Sequence, residues 1–73
     1  MEKITLKAAR INANLKAREV AGRIKVSVTT LSAWETFKRY PNALQFKELC
    51  QLYGVHMEDI FLPDALTTGK GNV

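Results

Sequence analysis

The chain has 73 residues, a length typical of one domain, and its 47% hydrophobic and 25% charged residues are an ordinary globular composition. Cys50 is the only cysteine, which excludes an intramolecular disulfide and a metal centre built on paired thiolates. No apolar stretch approaches the roughly 18–20 residues of a membrane span, and the N-terminus lacks the long apolar region of a signal peptide. We therefore expect a cytoplasmic protein.

The formal net charge of +4 is distributed unevenly along the chain. Residues 1–41 contain nine Lys or Arg and three Glu, for a net charge of +6. Residues 42–73 contain two Lys and four Asp or Glu, for a net charge of −2. A basic first half indicates a face that binds a polyanion. Charge alone leaves nucleic acid, an acidic protein and a membrane surface as alternatives.

The first half of the chain shows the apolar periodicity of helices and no strand pattern. The first predicted helix runs from Thr5 to Asn14 and opens with an N-capping threonine. The second runs from Ala17 to Ile24, with apolar side chains at positions 20, 21 and 24. The third runs from Val28 to Thr36 and follows Ser27 as its N-cap.

Two further helices are predicted in the second half. The fourth starts at Asn42, where Gln45 three residues later completes a capping box, and Gly54 is placed to end it. The fifth is a last turn from Met57 to Phe61, which Pro63 stops. With the first three, these segments predict five short helices.

The link between the second and third helices is the most informative connection. About three residues remain for the change of direction, and a turn that short makes two helices cross at about 90–120°. Ala21 is small enough for the close approach of their backbones. Short links throughout predict an all-α, compact five-helix bundle. We place the domain at residues 1–63 and expect residues 64–73, which are polar and aperiodic, to form a disordered tail.

Several stretches are ordered and spaced as in one family: Leu15-Lys16-Ala17-Arg18-Glu19-Val20-Ala21, Val26-Ser27-Val28-Thr29-Thr30-Leu31-Ser32-Ala33-Trp34-Glu35, Pro41, Leu49-Cys50-Gln51-Leu52-Tyr53-Gly54-Val55 and Asp59-Ile60-Phe61. The chain thereby resembles the Cro and phage-repressor (XRE) family of helix-turn-helix proteins over residues 6–62. The resemblance implies a lambda-repressor-like DNA-binding fold with the helix-turn-helix in helices two and three. It also implies a transcriptional regulator, typically a repressor, that binds double-stranded DNA as a homodimer without a cofactor.

The resemblance also assigns roles to individual residues. The third helix would be the recognition helix, which lies in the major groove with its N-terminal end toward the bases. Flanking residues would contact phosphate, and Arg10 with Glu35 would form an internal ion pair. The implied DNA-binding residues are Lys16, Arg18, Ser27, Val28, Thr29, Thr30, Ser32, Ala33, Lys38, Arg39 and Tyr40. The fourth and fifth helices or the tail would supply the dimer contact.

The chain departs from the family pattern at three positions. Ala17 stands where the family often has a phosphate-binding Gln, so Lys16 or Arg18 would take over that contact. Lys25 stands where the turn commonly has Gly, and a non-Gly residue in the left-handed conformation costs roughly 1 kcal/mol. Phe37 stands where a Gly often follows the recognition helix.

Two functions remain open at this point. The third helix has no Arg, Asn or Gln to read guanine or adenine, so methyl contacts, single hydroxyls and DNA shape would carry specificity. An apolar helix of this kind also fits a protein-interaction module, such as a modulator of another regulator or an antitoxin. We do not expect an enzyme, because the chain has one His, one Cys and no Gly-rich phosphate loop.

Overall fold

The computed structural model describes residues 3–62 and contains four α-helices in this range. Their bounds are Leu6–Asn12 for α1, Ala17–Ile24 for α2, Val28–Glu35 for α3 and Ala43–Tyr53 for α4. A 3₁₀ turn, Met57–Asp59, follows α4. Among the described residues, no helix is long and apolar enough to cross a membrane.

Local side-chain caps explain where the first and fourth helices begin. The Thr5 hydroxyl oxygen accepts the Ala8 N–H at 3.1 Å at the start of α1. At the start of α4, the Asn42 side chain accepts the Gln45 N–H at 2.8 Å, and the Gln45 side chain accepts the Asn42 N–H at 2.9 Å. α1 ends at Asn12, two residues before the predicted end.

One cluster of buried side chains holds the helices together, and each α-helix contributes at least two of them. Leu6, Val20, Leu31 and Leu49 come from four different helices and are almost completely buried. Burial of such aliphatic side chains contributes roughly 1.5–3 kcal/mol each relative to exposure. The same cluster contains Trp34, together with Ala9, Ala21, Cys50, Tyr53, Ile60 and Leu62.

The predicted fifth helix, and with it the five-helix bundle, is wrong. Helical structure stops at Asp59, because Ile60 has extended backbone angles of φ −101° and ψ 135°. The backbone of Ile4 forms hydrogen bonds with this segment in place of helical ones. The Ile4 N–H donates to the Asp59 carbonyl at 2.9 Å, and the Ile4 carbonyl accepts the Phe61 N–H at 2.8 Å. These two bonds form an isolated parallel bridge between Ile4 and Ile60, and residues 3–62 contain no β-strand.

The side chains after the 3₁₀ turn alternate, as they do in extended chains. Ile60 and Leu62 are buried, whereas Phe61 between them is 43% exposed. This period of two fits a strand-like segment and not a helical turn. The segment therefore closes one side of the core without forming a helix. Pro63 and the predicted tail at residues 64–73 lie outside the described residues.

Candidate nucleic-acid interface

A turn of three residues, Lys25 to Ser27, joins α2 to α3. Lys25 has the left-handed backbone angles φ 66° and ψ 45°, and the Val26 N–H donates to the Ala21 carbonyl at 2.9 Å. Ser27 then caps α3, because its Oγ accepts the Thr30 N–H at 3.0 Å. These bonds fix the point at which α3 leaves the turn.

α3 is anchored through one face and free on the other. Leu31 and Trp34 are buried in the core. Val28 is 47% exposed, and Thr29 and Ser32 are also exposed. The free face therefore presents methyl groups from Val28 and Thr29 and hydroxyls from Thr29 and Ser32.

The other two predicted contact residues of α3 are less accessible. Thr30 and Ala33 are both half-buried. The Ser27 hydroxyl donates to the Thr30 hydroxyl oxygen at 3.0 Å, so these two side chains are already engaged with each other. The hydroxyls of Thr29 and Ser32 have no hydrogen-bond partner within residues 3–62. Of the hydroxyls in α3, those two are best placed to bind another molecule.

An open groove of about 570 Å³ lies at the N-terminal ends of α2 and α3. The Glu19 carboxylate accepts the Lys16 N–H at 2.9 Å and so caps the first turn of α2. The side chains of Lys16 and Arg18 are exposed. The groove is lined by Lys16, Ala17, Arg18, Glu19 and Val28. The two predicted phosphate-binding cations at the start of α2 thus lie beside the first residue of α3.

The loop after α3 presents two more cations. Phe37 has a left-handed φ of 64°, and the N–H groups of Lys38 and Arg39 both donate to the Ala33 carbonyl, at 2.9 and 3.2 Å. The Lys38 and Arg39 side chains are exposed. Tyr40 is half-buried and its hydroxyl oxygen is covered by protein, so the structure does not place this hydroxyl at the surface.

Arg10 and Glu35 connect α1 to the last residue of α3. Arg10 Nε donates to Glu35 Oε2 at 2.7 Å and Nη2 to Oε1 at 3.3 Å, while Nη1 donates to the Leu15 carbonyl at 3.1 Å. The two side chains are only 13% and 7% exposed. The hydrogen bonds that Arg10 donates to the Glu35 carboxylate raise the pKa of Arg10 above its ordinary value. With all three guanidinium nitrogens engaged, Arg10 positions α3 and has little capacity left for phosphate.

An exposed apolar surface near the start of α4 is absent from the sequence-based predictions. Leu44 is 66% exposed, and Met57 is 44% exposed. A groove of about 370 Å³ is lined by Lys3, Pro41, Ala43, Phe46, Met57, Glu58, Ile60 and Leu62. The sequence carried a signal for Leu44, which does not share the helical spacing of the apolar stripe at Phe46, Leu49 and Tyr53. The described residues hold no group of His, Cys, Asp and Glu that could bind a metal ion.

A comparison with protein families agrees with this geometry. A family model described as a helix-turn-helix domain matches residues 4–71, which include all four helices and extend past the predicted domain end at residue 63. No curated protein and no solved structure matches the chain significantly. Because the family match covers far more than half of the sequence, the chain belongs to the helix-turn-helix domain family.

Proposed function

We propose that this chain is a sequence-specific, double-stranded DNA-binding regulator of transcription of the Cro and phage-repressor (XRE) kind, and that it acts as a repressor. The observation that carries the proposal is the free face of α3. It follows the short turn directly and exposes Val28, Thr29 and Ser32 while Leu31 and Trp34 hold the helix from behind. A helix displayed in this way is suited to the major groove.

The charges around α3 support the same proposal. Lys16 and Arg18 lie before the helix, and Lys38 and Arg39 lie after it, all with exposed side chains. Phosphate contacts on both sides would fix the register of α3, whereas base contacts by α3 itself would provide specificity. The acidic residue of α3, Glu35, is paired with Arg10 and places no free negative charge near the DNA.

Repression and homodimer formation are proposed together. One recognition helix of eight residues contacts only a few base pairs, so a single chain would bind weakly. Two chains on adjacent half-sites would bind more tightly and would occupy enough DNA to block transcription.

The test is fluorescence anisotropy of duplex DNA with the full chain over a range of salt concentrations. With four to six phosphate contacts, we expect a log–log slope of affinity against salt of roughly −3 to −6. Arg39→Ala should weaken all sequences equally and reduce the slope by about one unit. Lys47→Ala, which removes an exposed cation of α4 that is not among the proposed DNA contacts, is the matched control. A folded chain whose DNA affinity is absent or independent of salt would refute the proposal.

A protein-interaction module on the same fold is the second candidate. The exposed Leu44 and Met57 and the apolar groove beside Phe46 and Ile60 favour it. Thr29→Gln separates the two functions, because a base-reading residue changes which sequence is preferred, by roughly 1–3 kcal/mol at one base pair. If Thr29→Gln leaves DNA preference unchanged and a charge at the exposed Leu44, as in Leu44→Asp, disrupts a protein complex, the interaction module replaces the DNA-binding regulator.

A further inference from the structure

The exposed chemistry of α3 is unusual for a base-reading surface. Among its eight residues, Glu35 is the only charged one, and its carboxylate is held by Arg10. None of the eight is Asn, Gln, Arg or Lys, so the helix has no side chain that can form a bidentate pair with guanine or adenine. Recognition by this face must use single hydroxyls and apolar contact.

The major groove offers one apolar group for such a face. Each base edge there consists of hydrogen-bond donors and acceptors, except that thymine adds its C5-methyl group. Val28 exposes about half of its surface at the start of α3, and Thr29 beside it is exposed as well. We propose that this site selects thymine, by packing the side chains of Val28 and Thr29 against thymine C5-methyl groups; the inference rests on the proposed DNA-binding function.

The neighbouring groups favour this use of Val28. Val28 lines the same groove as Lys16 and Arg18, so phosphate contacts by these cations would hold it at a fixed depth. Ser32 lies one turn further along and has a hydroxyl without a partner in residues 3–62, which can bond to the base pair that follows. Thr30 is less suited to this contact, because it is half-buried and its hydroxyl oxygen already accepts the Ser27 hydroxyl.

The experiment starts with selection of preferred sites from a random duplex library by the full chain. Each thymine of the selected site is then replaced singly by deoxyuridine, which removes the methyl group and keeps the base pair. We expect one or two positions at which affinity falls about threefold to fivefold, as burial of one methyl group predicts. Replacement outside the site should change nothing.

Val28→Ala tests whether the loss of affinity with deoxyuridine arises from direct contact between Val28 and the thymine methyl group. The side chain is exposed, and alanine favours helix, so the variant should fold. Its affinity ratio between thymine and uracil should fall toward one at a sensitive position. Lys38→Ala, the control, should weaken both DNAs equally and keep the ratio. An effect of uracil on DNA shape alone would persist in Val28→Ala, and this result would overturn the inference.

The remaining outcomes separate the inference from the function on which it rests. Two results would overturn the thymine inference but leave DNA binding in place. One is salt-dependent binding with no sequence preference, and the other is equal affinity for thymine and uracil at every thymine of the site. An absence of DNA binding by the folded chain overturns both.

Discussion

The Arg10–Glu35 pair is the residue-scale feature with the largest expected effect on stability. The Arg10 guanidinium is nearly buried, and Glu35→Ala would remove its carboxylate partner. Loss of one partner of such a pair costs on the order of 3 kcal/mol. For a domain of this size, 1 kcal/mol changes the melting temperature by roughly 4–8 °C, so a decrease of more than about 10 °C is expected. Calorimetry or thermal circular dichroism measures it.

Glu48→Ala is the matched control, because Glu48 is exposed and has no hydrogen bond or ion pair within residues 3–62. Its melting temperature should stay within a few degrees of the parent. If Glu35→Ala behaves in the same way, the pair is a surface contact with little influence on the position of α3.

Tyr53 gives the domain a sensitivity to alkaline pH. Its hydroxyl is buried without a hydrogen-bond partner among the described residues. Burial, and after it the charge of Glu35, raises the pKa of this hydroxyl well above its ordinary value. The unfolded chain would therefore release the proton at lower pH, near 10, than the folded chain does. The free energy of unfolding must then fall as pH rises above about 10.

Tyr53→Phe removes the titrating hydroxyl and keeps the ring in the core. At neutral pH we expect the free energy of unfolding to stay equal or to rise by about 1 kcal/mol, because an unpaired buried hydroxyl is lost. Above pH of about 10, the decline should be shallower than in the parent. Denaturant titrations at several pH values measure both. Equal declines in the two proteins would mean that the hydroxyl is hydrated.

At the scale of elements, the turn before α3 is under backbone strain. Lys25 adopts φ 66° and its side chain is exposed, so no packing compensates for the left-handed conformation. Lys25→Gly should raise the free energy of unfolding by up to about 1 kcal/mol. Lys25→Ala keeps a Cβ and the strain, so its stability should match the parent. If Lys25→Ala raises the free energy of unfolding as much as Lys25→Gly does, the stabilisation comes from loss of the Lys25 charge and not from relief of backbone strain.

Phe37 has almost the same φ, 64°, after α3, but a different consequence is expected. Its ring packs against the core and meets the Phe61 ring edge to face, with centroids 6.0 Å apart. Such aromatic pairs contribute about 0.5–1.5 kcal/mol beyond burial. Packing therefore stabilises Phe37 in a conformation that Lys25 adopts without such contacts, and glycine would not improve this position.

For the whole molecule, the proposed homodimer makes a geometric prediction. A duplex with two half-sites about 10 base pairs apart, centre to centre, should bind two chains cooperatively, because both recognition helices then face the same side of the DNA. A shift of the second half-site by about five base pairs places it on the opposite side and should abolish the gain. Anisotropy and sedimentation measure affinity and stoichiometry. Equal binding at both spacings would exclude such a dimer.

Much of this fold could be predicted from the sequence because its signals are local. Thr5, Ser27 and Asn42 each bond to a backbone N–H three residues later, so the three helix starts are encoded within one turn. The short link at residues 25–27 and the apolar spacing of Leu31 and Trp34 likewise suffice to predict the helix-turn-helix corner. These features depend only on residues that are close together in the sequence.

Only the tertiary structure decided the features that depend on distant partners. The chain after Asp59 is extended because Ile4, from the other end of the domain, takes its backbone hydrogen bonds. Likewise, the choice of Val28, Thr29 and Ser32 as the free face of α3 depends on which face the core covers. Helical spacing shows that two residues share a face, but packing against the other helices determines which face remains open to a partner.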